Sequence, residues 1–449
     1  MIEFIPLGGG GEIGANSYYL NISGTGIILD CGMHPQKTGL DALPLFDIIK
    51  DKSIDYILIS HAHQDHIGSL PFLIQRFPYL KIITTPQTRA VAELTIHNTI
   101  SILKKQINEN EIKLYSHDDV DLLIQSIMYK SYGEEFDLIG YDHKGKEPVK
   151  AVFTNAGHII GSAGILLEHN NYKIFYTGDI SLRNQTLLKA AQLPEVKVDC
   201  LITETTYGST DTSIFNWHKE SERLAQSINK VIDRSGSVLI PVFSLGKMQE
   251  IAATLWKLMQ KGKLVNVDIY ADGIGRKINR IYDYSRYNVN YIDEDFVIGD
   301  IPLKSFYEIK RTSNFFKHPC IMLAPSGMMM KKTASYSMAI QWIKHKESAI
   351  FTVGYMDPDT PGYTIAKARK GQTIQFDGQS IEVKCSIKNF RFPSHARRED
   401  ILEIVKKLNP DSIILVHGDE SSIDWVGANI LKNFKAKLYA AKTGELIKL

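Results

Sequence analysis

The first sixty residues alternate short runs of large apolar side chains with glycine-bearing breaks. Glu3 to Leu7, Ser17 to Ile22, Ile27 to Asp30 and Tyr56 to Ser60 are rich in Ile, Leu and Tyr, which predicts four closely spaced strands. Beyond them the period changes. Ile67, Leu70, Leu73, Ile74 and Phe77 recur at helical spacing, with Pro71 tolerable only near a helix start, and Val120, Leu123, Ile124, Ile127 and Met128 give one face of a helix from Asp118. Strands return at Ala151 to Thr154, Tyr172 to Tyr176 and Cys200 to Thr203. From about Tyr207 strands and helices alternate: Ser237 to Val242, a helix through Met248, Ile251, Leu255 and Met259, then Val267 to Ala271, Cys320 to Ala324 and Ala349 to Val353. That is a parallel α/β pattern. The remainder is β-like again at Ile381 to Ile387 and Ile413 to Val416, around an amphipathic stretch from Asp400 to Leu408. No repeat, low-complexity run or long linker separates these blocks, so the middle one reads as an insertion. Residues 1–207 and 371–449 are then two parts of one domain, with 208–370 inserted.

A length of 449 residues suits two compact domains, and 44% hydrophobic with 23% charged residues excludes a disordered or fibrous chain. A formal charge of +2 excludes a global field that would pull the protein onto nucleic acid or anionic lipid, so any polyanion must be held locally. No apolar run approaches the roughly 18 residues of a membrane span, and the N-terminus lacks a basic region followed by an apolar one. No membrane partner and a cytoplasmic location are expected. Cys31, Cys200, Cys320 and Cys385 stand apart in apolar surroundings with no C-x-x-C pair, as reduced core thiols do.

Gly9-Gly10-Gly11-Glu12-Ile13-Gly14 fits the dinucleotide fingerprint G-x-G-x-x-G and comes after a strand, with Asp30 downstream as a ribose ligand would stand. That reading needs a helix opening at the glycines. Asn16 to Ile22 is β-like and Gly24 and Gly26 interrupt the stretch after it, so the run is read as a loop joining two strands. The decisive segment is His61-Ala62-His63-Gln64-Asp65-His66, directly after a strand. With 14 histidines in 449 residues, about 3% per position, three at fixed places arise by chance about once in a hundred such chains, before Asp65 is required. Strand alternation points His61 and His63 to one side, and the next turn brings Asp65 and His66 to an adjacent one. Imidazoles and carboxylates so placed suit borderline ions such as zinc.

The H-x-H-x-D-H segment resembles the metallo-β-lactamase fold superfamily, and the superfamily's other motifs can be found in order along the chain. Asp30 in Ile28-Leu29-Asp30-Cys31-Gly32 resembles the first, His158 in Gly157-His158-Ile159-Ile160-Gly161 the third, and Asp179 in Tyr176-Thr177-Gly178-Asp179 the fourth. Beyond them the chain resembles the β-CASP branch, which acts on nucleic acids. Glu204 in Ile202-Thr203-Glu204-Thr205-Thr206-Tyr207-Gly208, His395 in Pro393-Ser394-His395-Ala396 and His417 in Leu415-Val416-His417-Gly418-Asp419 look like its three extra motifs. The inserted block agrees through Pro241 to Gly246, Ala324 to Met328 and Val353 to Tyr355. The resemblance covers essentially the whole chain. Two positions depart: Arg397 stands where many relatives have an acid, which bears on how His395 is oriented, and Lys247 stands where Arg is usual.

The resemblance implies an α/β fold, a metallo-β-lactamase αββα sandwich with an inserted parallel α/β (β-CASP) domain. It implies two Zn2+ per chain, one held by His61, His63 and His158, the other by Asp65, His66 and His417, with Asp179 bridging and Asp30 bracing a ligand. The implied chemistry is RNA phosphodiester hydrolysis by water activated between two metals, with Asp65 in the catalytic set, giving 5′-phosphate and 3′-hydroxyl ends. His395 paired with Glu204 is the expected general acid, because an adjacent carboxylate favours the protonated imidazole. Ser394 and the backbone around Ser326 and Gly327 are the expected phosphate or RNA contacts. His417 favours RNA, since DNA-acting members carry Val there; the alternatives are a DNA nuclease and a metal-free scaffold subunit. Single-stranded RNA is the expected partner, with a homodimer or an RNA-processing complex left open, as is the balance of endonuclease and 5′-exonuclease.

Overall fold

The computed structural model describes residues 2–106, 115–141, 147–211, 216–308, 315–376 and 378–449. Two seven-stranded sheets form one lobe. The first runs in the order Ile447–Lys448, Ile2–Gly8, Ser17–Ile22, Thr25–Leu29, Tyr56–Leu58, Lys81–Thr84, Met128–Tyr129. The second runs Lys437–Ala440, Ser412–Val416, Cys200–Glu204, Tyr172–Tyr176, Ala163–His169, Val149–Asn155, Glu135–Leu138. Strand alternation explains the layering. Ile27, Leu29, Tyr56 and Leu58 face the second sheet and pack with Ile165, Tyr176, Ile202 and Ile414, while Ile28, Ile57 and Ile59 face the other way onto Leu70, Leu73, Ile96 and Ile100 of the covering helices. Helices Arg398–Leu408 and Glu420–Asn433 cover the second sheet through Ile401, Ile404, Val426 and Ile430, completing helix, sheet, sheet, helix. Each such side chain, fully buried, contributes about 1.5–3 kcal/mol.

The glycine run lies between the antiparallel strands Ile2–Gly8 and Ser17–Ile22, as a loop joining two strands of one sheet. All four cysteines are free and buried. Among the described residues, no helix is long and apolar enough to cross a membrane.

The second lobe is a six-stranded sheet, Leu303–Lys304, Asp268–Ala271, Cys320–Ala324, Val238–Pro241, Ala349–Thr352, Ser386–Asn389, in which every pairing is parallel. The boundary expected at residue 370 is corrected here. Ser386–Asn389 pairs with Ala349–Thr352, and the hairpin Thr373–Phe376 with Gln379–Glu382 packs Ile374, Phe376 and Ile381 around Met322, Trp342 and Ile350. The insert therefore runs to Asn389, and the chain returns to the first lobe through Phe390 to Ser394. The single strand expected over Ile381 to Ile387 is two strands in two sheets, because Lys384 and Cys385 both turn their N–H groups to the Ile343 carbonyl.

The lobes share a core. Ala62, Val91, Ile159, Ile160, Leu187 and Leu188 of the first lobe pack in one cluster with Met248, Ile251, Tyr282 and Tyr291 of the insert. Buried Glu250 accepts from the backbone N–H groups of Thr186 (2.6 Å) and Leu187 (2.9 Å), locking a loop of the first lobe onto the insert helix Lys247–Gln260.

Candidate metal centre

The histidine segment begins where Tyr56–Leu58 ends and closes into a short helical turn, Gln64–Ile67. It is stitched to the neighbouring loop by Asn16 N–H to the Asp65 carbonyl (2.9 Å), Cys31 N–H to the His66 carbonyl (2.7 Å) and Met33 N–H to the Gln64 carbonyl (3.0 Å). Gly32 is required: a Cβ there would lie 1.6 Å from the Asp65 carbonyl oxygen. Asp179 comes after Tyr172–Tyr176, Glu204 ends Cys200–Glu204 and His417 comes after Ser412–Val416, so three adjacent parallel strands deliver acids and imidazole to one edge.

His61 Nε2, His63 Nδ1, His158 Nε2 and Asp179 Oδ2 converge. The separations are 3.1 Å between the first two, 3.0 Å between His63 and His158, and 3.4 and 3.5 Å from His61 and His158 to Asp179. Ligand atoms about 2.0–2.2 Å from a tetrahedral ion would be about 3.3–3.6 Å apart, close to these values. Proton bookkeeping gives a second test. His63 donates from Nε2 to the Leu245 carbonyl (3.3 Å), and His158 donates from Nδ1 to the Ser394 carbonyl (2.8 Å). Ser60 spends its hydroxyl proton on Asp30 (2.7 Å), so it accepts from His61 Nδ1 (2.9 Å). Each neutral ring therefore turns a lone pair inward. Three lone pairs at such distances cannot bond one another; a cation between them resolves the repulsion. Burial lowers the basicity of all three, with His63 pushed down to about 3, which keeps them in the ligand form.

Asp65, His66 and His417 form a second group beside the first. Asp65 Oδ2 lies 3.6 Å from His66 Nε2 and 3.3 Å from His417 Nε2, and Asp179 Oδ1 lies 3.3 Å from His66 Nε2 and 2.9 Å from His417 Nδ1. Asp179 thus offers one oxygen to each group. Burial alone would raise Asp65 and Asp179, but His66 and His417 outweigh it and hold both below the usual carboxylate range. Burial alone would lower His66 and His417, but Asp179 leads the carboxylates that raise them, His417 to about 10. Among the described residues, Asp179 Oδ1 and His417 Nε2 are buried without a well-aligned hydrogen bond despite those short approaches, and both face this group. An orphaned carboxylate oxygen and an orphaned ring nitrogen fit a cation there.

Asp30 holds the imidazoles from behind and is not among the converging donor groups. Its carboxylate accepts from Ser60 N–H (2.6 Å), Ser60 Oγ (2.7 Å), Tyr176 Oη (2.7 Å) and His66 Nδ1 (2.8 Å), so it braces His66 directly and His61 through Ser60. Glu204 accepts from Ile180 N–H (2.7 Å), Thr206 Oγ1 (2.5 Å) and His395 Nδ1 (3.0 Å). His395 therefore presents Nε2 outward, and its side chain is 18% exposed where Asp179 is 2%. Burial works against its protonation, yet Glu204 and then Asp179 raise it. Arg397 leaves His395 alone: its Nε and Nη2 both donate 3.0 Å bonds to Asp400, which also takes Arg183. Lys247 donates to the Phe392 carbonyl and so ties the insert to the segment carrying His395. Ser394 orients His158 through its carbonyl. A Cβ at Gly327 would meet Phe243 of the insert, Ser326 bonds Met330 and Ser335, and among the described residues no hydrogen bond joins either to the candidate metal ligands.

Asn16 escaped the sequence reading. Fully buried, it accepts from Tyr18 Oη (2.9 Å), which fixes its amide nitrogen against His66 Nε2 (3.1 Å) and Asp65 Oδ2 (3.5 Å). Only the folded approach of two segments reveals it, and the glycine run beside it was the sole local signal.

Three family descriptions match successive parts of the chain: the metallo-beta-lactamase superfamily over residues 10–217, the Beta-Casp domain over 248–365, and a Zn-dependent metallo-hydrolase RNA specificity domain over 380–441. The chain is 30% identical to an RNase J-like protein of Methanocaldococcus jannaschii, with 98% of each covered. It is 29% identical to cleavage and polyadenylation specificity factor 73 of Drosophila melanogaster and 28% identical to endoribonuclease YSH1 of Candida glabrata. The chain spans 62% and 56% of the lengths of those two relatives. A crystal structure of a protein of unknown function from Enterococcus faecalis shares the fold over the whole of both chains, with a TM-score of 0.57 at 12% identity.

Proposed function

The chain belongs to the metallo-β-lactamase superfamily, in the branch that carries a β-CASP domain, and from that membership we propose that it is a zinc-dependent ribonuclease. It hydrolyses RNA phosphodiesters and leaves 5′-phosphate and 3′-hydroxyl ends. One observation carries the reading: inward lone pairs and orphaned acceptors form two adjoining donor groups around Asp179, with one carboxylate-paired imidazole standing outside them. Two Zn2+ per chain fit, with His61, His63 and His158 for one, Asp65, His66 and His417 for the other, and Asp179 shared. Zinc bound there would lower the pKa of water to about 7 and offset charge on the phosphoryl oxygens.

The chain's own residues complete the chemistry. Glu204 holds the Nδ1 proton of His395, and His395 Nε2 gives its proton to the leaving 3′-oxygen. Asp30 fixes the ring planes of His66 and, through Ser60, His61. The insert roofs the site, so a single strand threads between the lobes. The match to an RNA specificity domain and relatives named as endoribonucleases support RNA over DNA. Relatives named as a cleavage and polyadenylation factor and an Integrator subunit support membership of an RNA-processing complex.

Elemental analysis of protein purified without chelator, paired with product mapping on 5′-labelled RNA bearing a monophosphate or a triphosphate, tests the proposal. Expected are two zinc-like ions per chain, activity lost on chelation, and RNA cut faster than DNA of the same sequence. Absence of transition metal with chelator-insensitive activity would overturn it, and so would a 2′,3′-cyclic phosphate end, which marks the ribose hydroxyl as attacking group. Equal cleavage of DNA would make it a DNA nuclease.

A further inference from the structure

The insert helix Ile274–Ser285 starts beside the loop that holds His63. A Cβ at Gly275 would meet Met248 and, at 3.2 Å, the Ser244 carbonyl; the next residue, Leu245, holds His63. From there Arg276, Arg280 and Tyr284 recur at spacings of four, which places them on one stripe of the helix, with exposed Lys277 alongside and exposed Tyr287 in the turn just past the helix end. Tyr284 is 83% exposed and Tyr287 61%, and the Arg286 guanidinium sits 4.5 Å from the Tyr287 ring centre. Isolated exposed tyrosines are ordinary; two at the end of a basic stripe are a stacking surface.

The charge there is available. Among the described residues, Lys277 and Arg280 have no hydrogen bond or ion pair, and Arg276 has only Asp272 at 3.8 Å. Of the nearby acids, exposed Asp300 stands between Gly299 and Ile301, and Asp272 and Asp283 are turned to other groups. Asp272 accepts from Ser305 Oγ (2.8 Å) and Phe306 N–H (2.6 Å), and Asp283 accepts from Ile298 N–H (2.7 Å) and Gly299 N–H (2.9 Å). The three cations line a groove of about 420 Å³ with Asn279, Ile298 and Leu303. In a chain of net charge +2, such an unpaired group is where a polyanion would be held.

We propose that this stripe is a track for single-stranded RNA outside the cleft, with phosphates on Arg276, Lys277 and Arg280 and bases stacked on Tyr284 and Tyr287. It rests on the ribonuclease reading and adds to it where the strand runs beyond the metals. The helical stripe from Arg276 to Tyr284 is about 12 Å long, enough for a few nucleotides. An acidic protein segment would use the cations and leave the rings idle, so the rings favour RNA.

The test uses the full chain with zinc bound and phosphorothioate RNAs of about 8 and about 30 nucleotides, read by fluorescence anisotropy across a salt series. Combined Arg276→Ala, Lys277→Ala and Arg280→Ala should weaken the longer RNA about tenfold or more and flatten the slope of log affinity against log salt by about 2. The shorter RNA, which the cleft alone can hold, should change little, and hydrolysis of bis(p-nitrophenyl) phosphate should be unchanged. Tyr284→Ala should weaken the longer RNA about fivefold or more while Tyr284→Phe binds as the parent does. Unchanged affinity in the triple variant, or polyglutamate displacing RNA as well as RNA does, would overturn the track. A parent protein that hydrolyses the small diester yet binds neither RNA would overturn the ribonuclease reading as well, whereas a parent that binds and cuts RNA alongside indifferent variants sinks the track alone.

Discussion

In both lobes the groups that face the cleft stand just past the C-terminal ends of parallel strands, yet the two lobes bring different chemistry to it. After Thr25–Leu29, Tyr56–Leu58, Tyr172–Tyr176 and Ser412–Val416 the first lobe places Asp30, the histidine segment, Asp179 and His417. After Val238–Pro241, Cys320–Ala324 and Ala349–Thr352 the insert places Val242 to Gly246, Pro325 to Met328 and Val353 to Met356, with no acid and no imidazole among them. The cleft is therefore asymmetric: one wall carries the candidate metal-binding groups, and the other steadies them, through the Leu245 carbonyl on His63 and the Lys247 tie to the Phe392 carbonyl. Position at a strand end makes a group available to a cleft; the side chain decides what the cleft does.

Changes on the wall with the candidate metal-binding groups should cost most. Asp179→Ala removes the carboxylate shared by both donor groups, and metal content and phosphodiesterase activity should fall together to background; retained metal would break the asymmetry. His395→Ala should lower turnover about 10²- to 10⁴-fold with metal still bound, as loss of a general acid does, which elemental analysis beside kinetics would separate from ligand loss. Asp30→Asn leaves every ligand in place but unbraces two of them, and a competitive chelator titration should find metal affinity lowered about 10- to 100-fold.

On the other wall the expected effects concern stability. Burial pushes the Glu250 carboxyl up to about 7 from its ordinary value of 4.5, so the folded protein holds that proton more tightly than the unfolded chain. Its contribution is fully present below about pH 4.5 and is lost as pH rises through about 7, a change of about 3 kcal/mol. Urea unfolding of the parent and of Glu250→Gln at several pH values should show this loss in the parent and not in the variant, which keeps an acceptor for Thr186 and Leu187. Parallel profiles for the two proteins would mean that the lock between lobes does not titrate.

Much of the first lobe was legible in sequence because apolar runs there end at glycines or at the motifs themselves: Ser17–Ile22 and Tyr172–Tyr176 stand where the pattern put them, as does Cys320–Ala324 of the insert. The candidate donor set was legible because its spacing is improbable, and Asp30 accepts from His66 Nδ1, a contact compatible with the bracing role proposed for it. What stayed hidden depends on distant neighbours. The side chains of Ile159, Ile160, Leu187 and Leu188 look like any loop apolars until the insert closes on them, and the strand Ser386–Asn389 is assigned to the insert only by its partner Ala349–Thr352. The concern that Arg397 would leave His395 unoriented dissolved for the same reason, since Glu204, on a strand nearly two hundred positions earlier, does the orienting.

The pairing of Cys200–Glu204 with Ser412–Val416, in the register Cys200 to Ser412 and Glu204 to Val416, spans the entire insert. Translation delivers chains from the N-terminus at about 5–20 residues per second. At that rate the 238 positions from Asp179 to His417 take about 10–50 seconds, so His61, His63, Asp65, His66, His158 and Asp179 are made well before His417 and its strand. Until then Cys200–Glu204 has a bare edge where Ser412–Val416 belongs. The last imidazole of the candidate site thus arrives on the late strand, and the donor groups are complete only once that strand has docked.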